Sequence, residues 1–347
     1  MLSWTRKYIM IFTLISLVSV VLYELLDWKF LNLPWRPIGL VGTALAFIIG
    51  FKNNASYGRL WEARTIWGGI VNSSRLLATM VNDFITNEHS AVKYSDEQLF
   101  AIRKQIIMRH IAWMTSLRHA LRVKKPWETT FNKKTDREFV KKFHIQEYEY
   151  TLEQELNGYL TNDEKSEVLS MTNKQTSCLN MQSRHFKELK MLGLIEDFRH
   201  MEFKNVIADL FAFQGKAERI KNFPYPRQFA TLNLYFVWIF IYLLPFGIMG
   251  EFDLIGESLI DPNKDQWYNW IAANFVWLTV PFSVVIAWIF HTMERIGDIS
   301  ENPFEGTGND VPITTMSKAI EIDIREMIGE DRTQIPNQHP ASHDSQM

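Results

Sequence analysis

Long apolar runs alternate along this chain with polar stretches of helical period. Residues 9–26 form an 18-residue run in which Glu24 is the sole charge, close to the roughly 20 apolar residues that cross a bilayer. Arg6 and Lys7 precede it as they would in a secretory leader. The run is long for a leader, however, and no small-residue cleavage pattern follows. Residues 229–250 and 270–290 contain no charge at all, whereas a soluble core helix would keep a polar stripe. Both are expected to lie in lipid, kinked at Pro245 and Pro281. Residues 37–51 are apolar for only 15 positions, about 22 Å as a helix and short for a hydrocarbon layer of roughly 30 Å. This segment is expected to be shielded from lipid. Gly42, Ala46 and Gly50 recur at four-residue steps along it, the small-residue spacing that lets membrane helices approach closely. Thr43, Phe47 and Phe51 form the adjoining stripe. Two readings fit: a buried packing helix with Phe as filler, or a helix that lines a pore.

Residues 52–227 are polar enough for water yet keep helical spacing. Leu99, Ile102, Ile106, Ile107, His110, Met114, Leu117 and Leu121 mark one face of a helix. Pro126 ends it, because the residue before a proline is pushed out of the helical region. A charged connector follows. Asn162, Asp163 and Glu164 open a further helix, residues 171–213 continue the amphipathic pattern, and strand alternation is nowhere sustained. Beyond residue 300, a turn cluster leads to Ile313, Met316, Ile320, Ile324 and Met327, which make a seam. Residues 331–347 are polar and aperiodic, so disorder is expected there. The resulting division is 1–51, two membrane segments; 52–227, a helical cytosolic module; 228–299, two more membrane segments; 300–330, a tail helix; and 331–347, a tail.

The 347-residue length suits about two ordinary domains. With 37 basic against 39 acidic residues the chain lacks the field of a nucleic-acid binder. The lone Cys178 excludes a disulfide framework and a thiolate metal site within one chain. No phosphate loop, paired-His zinc motif or nucleophile elbow occurs. The pairs His185 with Asp197 and His200 with Glu202 read as solvated surface contacts rather than acid and base. Catalysis is rejected and no cofactor or metal is expected. Segment 251–269 carries five acidic residues and Lys264 as its one base, while Arg6, Lys7, Lys52, Arg59, Arg64, Arg219, Lys221 and Arg227 flank the other ends. Both termini of a multi-pass cell-membrane protein are therefore expected in the cytoplasm.

The strongest local signal follows the short apolar segment. Asn53 and Asn54 stand where the helix leaves the membrane, either as caps or as polar groups at a pore exit. Tyr57, Arg59, Glu62 and Arg64 come next, and Arg59 with Glu62 suits an interior anchor. The run from Gly50 to Arg59, with Glu62, Ala63, Arg64, Trp67 and Gly68 behind it, resembles the bacterial bestrophin homologues. So does Asn302-Pro303-Phe304 with the residues up to Pro312. The resemblance covers roughly residues 1–330. It implies an all-α membrane protein with four transmembrane segments and a large helical cytosolic module, assembled as a homopentameric channel for small inorganic ions. By position it implies a pore neck at Thr43, Phe47 and Phe51, with Thr43 departing from the family's bulky apolar character, and a second, cytosolic aperture near Met181. The tail helix is expected to pack on an adjacent subunit. The run that binds calcium in animal members keeps few carboxylates here, so currents insensitive to micromolar calcium are expected. Small monovalent anions such as chloride are the expected cargo. A monovalent-cation channel of the same fold and a non-conducting membrane scaffold are the alternatives. Expected partners are further copies of the chain, membrane lipid and ions, with no nucleic acid.

Overall fold

The computed structural model describes residues 2–128 and 145–338. Most of the connector expected after Pro126 and the last residues of the tail lie outside them. No strand occurs among the described residues. The helices divide into two compact units, one built from Met1–Tyr57 with Tyr225–Glu301, the other from Gly58–Pro224 with the chain from Asn302 onward.

The first unit contains α1 (Leu2–Glu24), the N-terminal part of α2 (Trp35–Phe84) and, after the second unit's helices, the three returning segments. The α1 helix closes on Asp27, at φ +54, a left-handed position that a short polar side chain tolerates. The second unit contains the rest of α2, α3 (Asp96–Arg122), the short α4 (Gln146–Glu149) and α5 (Leu152–Leu156), α6 (Asn162–Ser170), α7 (Lys174–Met191) and α8 (Asp197–Asn222). The chain then re-enters the first unit as α9 (Arg227–Leu259), α10 (Gln266–Ala273) and α11 (Thr279–Ile299), and ends in the second with α12 (Ile313–Met327).

Within the first unit α1 packs on α11 and α9. Their shared core holds Phe12, Leu45, Val237, Phe240, Leu244 and Ala287. Met10 and Leu14 point outward at 58% and 61% exposure, which suits an apolar surround. Four helices among the described residues are long and apolar enough to cross a membrane.

Two expectations about these spans are corrected. The 15-residue apolar segment does not end as a short helix, because α2 runs unbroken for 50 residues. No proline interrupts it after Pro37, so the change from apolar to polar side chains at Lys52 does not end the helix. Residues 270–290 are not one kinked helix either. A 3-10 turn at Phe275–Leu278 separates α10 from α11, and Pro281 sits in the first turn of α11, where its missing N–H leaves no intrahelical bond unmade. Pro245 lies inside α9 as expected.

In the second unit, reciprocal caps set the helix starts: Ser95 with Gln98, Thr151 with Gln154, and Thr161 with Glu164. Ile106, Ile107, His110, Met114, Leu117 and Leu121 of α3 are buried along the face that periodicity marked. The stretch 171–213 is two helices rather than one. Gly193, at φ +72, turns the chain between α7 and α8, and a β-carbon there would collide with the His89 carbonyl oxygen. The seam of α12 is filled within its own chain. Ile313, Ile320 and Ile324 are buried in the second unit's core and α12 packs on α3, so those side chains are unavailable to a neighbouring subunit. The first residues of the tail form a 3-10 turn, Arg332–Gln334, rather than an aperiodic stretch. Arg325 donates to Glu330 at 2.8 Å, to Glu321 at 3.0 Å and to the Gln334 carbonyl at 2.7 Å. Lys104 holds Glu330 at 2.7 Å, and Ile335 is 6% exposed. Two cations, Arg325 and Lys104, converging on one short stretch supply what its composition lacks.

Candidate functional site

The membrane part of α2 presents two unlike faces. Ile38, Gly42, Leu45, Ile49, Lys52 and Ser56, three or four residues apart, are buried. Gly39, Thr43, Phe47, Phe51 and Asn54 line the opposite side of an open groove of about 790 Å³, which Phe240, Ile286 and Phe290 complete. Phe47 and Phe51 are 67% and 74% exposed. These are the two rings placed in the neck, and they share one face with Thr43. The Thr43 hydroxyl donates to the Gly39 carbonyl at 2.9 Å, so its proton is spent on its own helix and is not offered to the groove.

The three small residues do not act alike. A β-carbon at Gly42 would come within 2.7 Å of the Phe240 ring, whereas one at Gly50 would meet nothing within 4 Å. Gly42 therefore serves packing inside the chain, and Ala46 and Gly50 are exposed beside the rings. The two asparagines also part. Asn54 lines the groove, whereas Asn53 turns inward, its Nδ2 donating to the Met293 carbonyl at 3.1 Å. The Asn53 amide is thus engaged by α11 through its Nδ2.

Lys52 is the residue that sequence reasoning missed. Read as a basic flank at the membrane edge, its ammonium is instead 2.8 Å from Glu294, with side chains 1% and 2% exposed. Sequence offered only a weak signal, because Glu294 lies just past the uncharged run and beside Arg295, a nearer candidate for its partner. Close by, Arg295 pairs with Asp298 at 3.0 Å, and His291 sits against Tyr8 with ring centroids 4.1 Å apart.

The remaining motif residues divide between exposed and anchoring positions. Tyr57 is 58% exposed at the end of the first unit's share of α2, and Arg64 is exposed. In the second unit Arg59 donates to the Ile220 carbonyl at 3.0 Å and Glu62 pairs with Arg219. Both therefore hold the last turn of α8, where carbonyls lack helical partners. These two contacts tie α2 to the end of α8. Met181 is 4% exposed in the second unit's core. Its face of α7 packs inward with Cys178, Gln182 and Phe186, so its side chain is not the one that lines an aperture.

The Asn302 turn is closed on itself. Asn302 donates to Glu305 at 2.5 Å, Phe304 is 1% exposed, and the Pro303 carbonyl accepts from the Val311 amide at 3.2 Å. Asp310 accepts from the Gly306 amide at 2.6 Å, the Thr307 amide at 3.1 Å and the Thr307 hydroxyl at 2.5 Å. Burial pushes its carboxyl above the ordinary range, against the pull of Arg122. Both Asp310 oxygens are thus already engaged by donors of the chain.

The family model for bacterial and fungal bestrophin proteins matches residues 2–258 and 270–326. A voltage-dependent anion channel-forming protein of Ralstonia nicotianae is 27% identical over 299 residues, 86% of this chain and 79% of that protein. A protein of the same description from Escherichia coli is 23% identical over 323 residues, covering 92% and 86%. The crystal structure of a bacterial bestrophin homologue from Klebsiella pneumoniae matches with a TM-score of 0.72 at 21% identity, over 93% of this chain and 98% of that one. This last likeness is one of fold.

Proposed function

The chain belongs to the bacterial and fungal bestrophin family, a family of membrane channels rather than enzymes, and from that premise we propose that it forms an anion-conducting pore. The carrying observation is the exposed Phe47 and Phe51 face of α2, flanked by small residues, in a unit whose helices can cross a membrane. One helix cannot enclose a water path, so the pore is a ring of copies with α2 innermost, and five copies is the number that the family resemblance implies. The two Phe rings make a neck narrow enough to close by dewetting, with Thr43 the least bulky position and Asn54 at the inner mouth. The termini are cytoplasmic and the membrane is the cell membrane.

Chloride and similar monovalent anions are the cargo in this reading. Ring edges carry partial positive charge and faces partial negative charge, so edges turned toward the axis favour an anion. A cation-selective channel is the second reading, favoured by the acidic stretch from Glu251 to Asp265. Calcium is not needed for opening, given how Asp310 is engaged. The deciding experiment is reconstitution of the full chain in planar bilayers under a sodium chloride gradient. A reversal potential near that of chloride supports the anion reading. One near that of sodium selects the cation channel. Electrically silent bilayers from material of monomeric mass refute both.

A further inference from the structure

Lys52 directly follows Phe51, about 100° further round the helix. Its ammonium meets Glu294 at 2.8 Å with both side chains out of contact with solvent. The next residue, Asn53, donates to the carbonyl of Met293, the neighbour of Glu294. One turn on, a β-carbon at Gly297 would collide with Asn53 Oδ1. Two consecutive α2 residues thus grip three α11 positions. Apolar packing alone would hold these helices together, but it is non-directional. A desolvated ion pair is a costly way to gain adhesion; what it specifies is angle. Arg295 and Asp298 satisfy each other at 3.0 Å. Glu294 Oε2 finds no hydrogen-bond donor, so loss of Lys52 would leave a buried carboxylate without its cation.

We propose that the Lys52–Glu294 pair, with Asn53 seated on Met293 and Gly297, is a rotational lock that fixes which α2 side chains face the passage. Glu294 is then a positioning residue for permeation that never touches the ion. This rests on the pore reading of the α2 face. A turn of α2 by one residue would replace Phe51 in the ring by its neighbour, so the lock governs the neck from an adjoining face of the helix.

The test uses the full chain in liposomes, with Lys52→Gln, Glu294→Gln and the reversed pair Lys52→Glu with Glu294→Lys. Each is also combined with Phe51→Cys, whose thiol is probed by a water-soluble methanethiosulfonate. The native Cys178 is 2% exposed and contributes no competing site. Each neutral variant is expected to change open probability by about tenfold, within the span of couplings between contacting residues. Each is also expected to slow modification of the introduced thiol, and the reversed pair to restore both. Neutral variants that assemble, conduct and modify like the parent overturn the lock alone if Phe51→Ala still alters the currents. If Phe51→Ala is also silent, the pore reading falls and the lock with it. Where a neutral variant fails to assemble, the reversed pair decides, supporting the lock with a parental modification rate and overturning it with an altered one.

Discussion

Gly42 and Gly50 are two turns apart on α2, yet a methyl group at each would meet opposite surroundings. At Gly42 it would press on the Phe240 ring at 2.7 Å, and a ring wedged in a core yields only by moving its neighbours. Gly42→Ala is expected to cost about 1–3 kcal/mol, the usual range for overpacking, seen as a lowered thermal midpoint of the detergent-solubilised chain. Gly50→Ala has open space around it and is expected to leave that midpoint unchanged. Any effect of Gly50→Ala on assembly then reports contact between copies. Both glycines stand in one four-residue series, which is why spacing alone could not separate them; the difference lies in a ring from α9, nearly two hundred residues away.

At the scale of elements, α2 and α12 show where reading by hydrophobic runs succeeds and where it stops. The uncharged spans were legible because lipid leaves no reason for a polar stripe, and α3 was legible because one wet face and one dry face impose a 3.6-residue period. The continuation of α2 was not legible, since an apolar run records where the surroundings change and not where hydrogen bonds stop. Lys52 was misplaced for a related reason: its partner is 242 positions away. The seam of α12 was recognised, but which surface it fills is a tertiary fact. It is filled by its own chain, with Ile320 1% exposed. Ile320→Ala is accordingly expected to cost about 2–5 kcal/mol, as buried large-to-small changes do. Faster hydrogen exchange in both α12 and α3 would check this, whereas a seam serving another subunit would spare α3.

For the molecule as a whole, the second unit is set to weaken in acid. Burial lowers His110 from 6.5 to about 3 and, with Arg109 nearby, lowers His185 from 6.5 to about 4. Burial also works against the Glu147 carboxylate, but Arg118 and Arg122 outweigh it and hold that group at about 2. All three folded values are depressed. The unfolded chain therefore binds protons first, and the stabilisation present above the ordinary histidine value is lost progressively as pH falls toward 3. The thermal midpoint of the full chain, followed by near-ultraviolet dichroism, is expected to be lower at about pH 5 than at about pH 7.5. His185→Gln should shrink that difference while leaving the midpoint at the higher pH nearly unchanged.

The Arg325 knot has a practical side. A chain trimmed after Glu330 to ease crystallisation would lose the Gln334 carbonyl that caps the guanidinium and the buried Ile335 side chain. The aperiodic appearance of these last residues invites that cut. An affinity tag belongs beyond Ile335, and a truncation series walking back from the C-terminus should hold its expression yield until it reaches that residue and drop once it is gone.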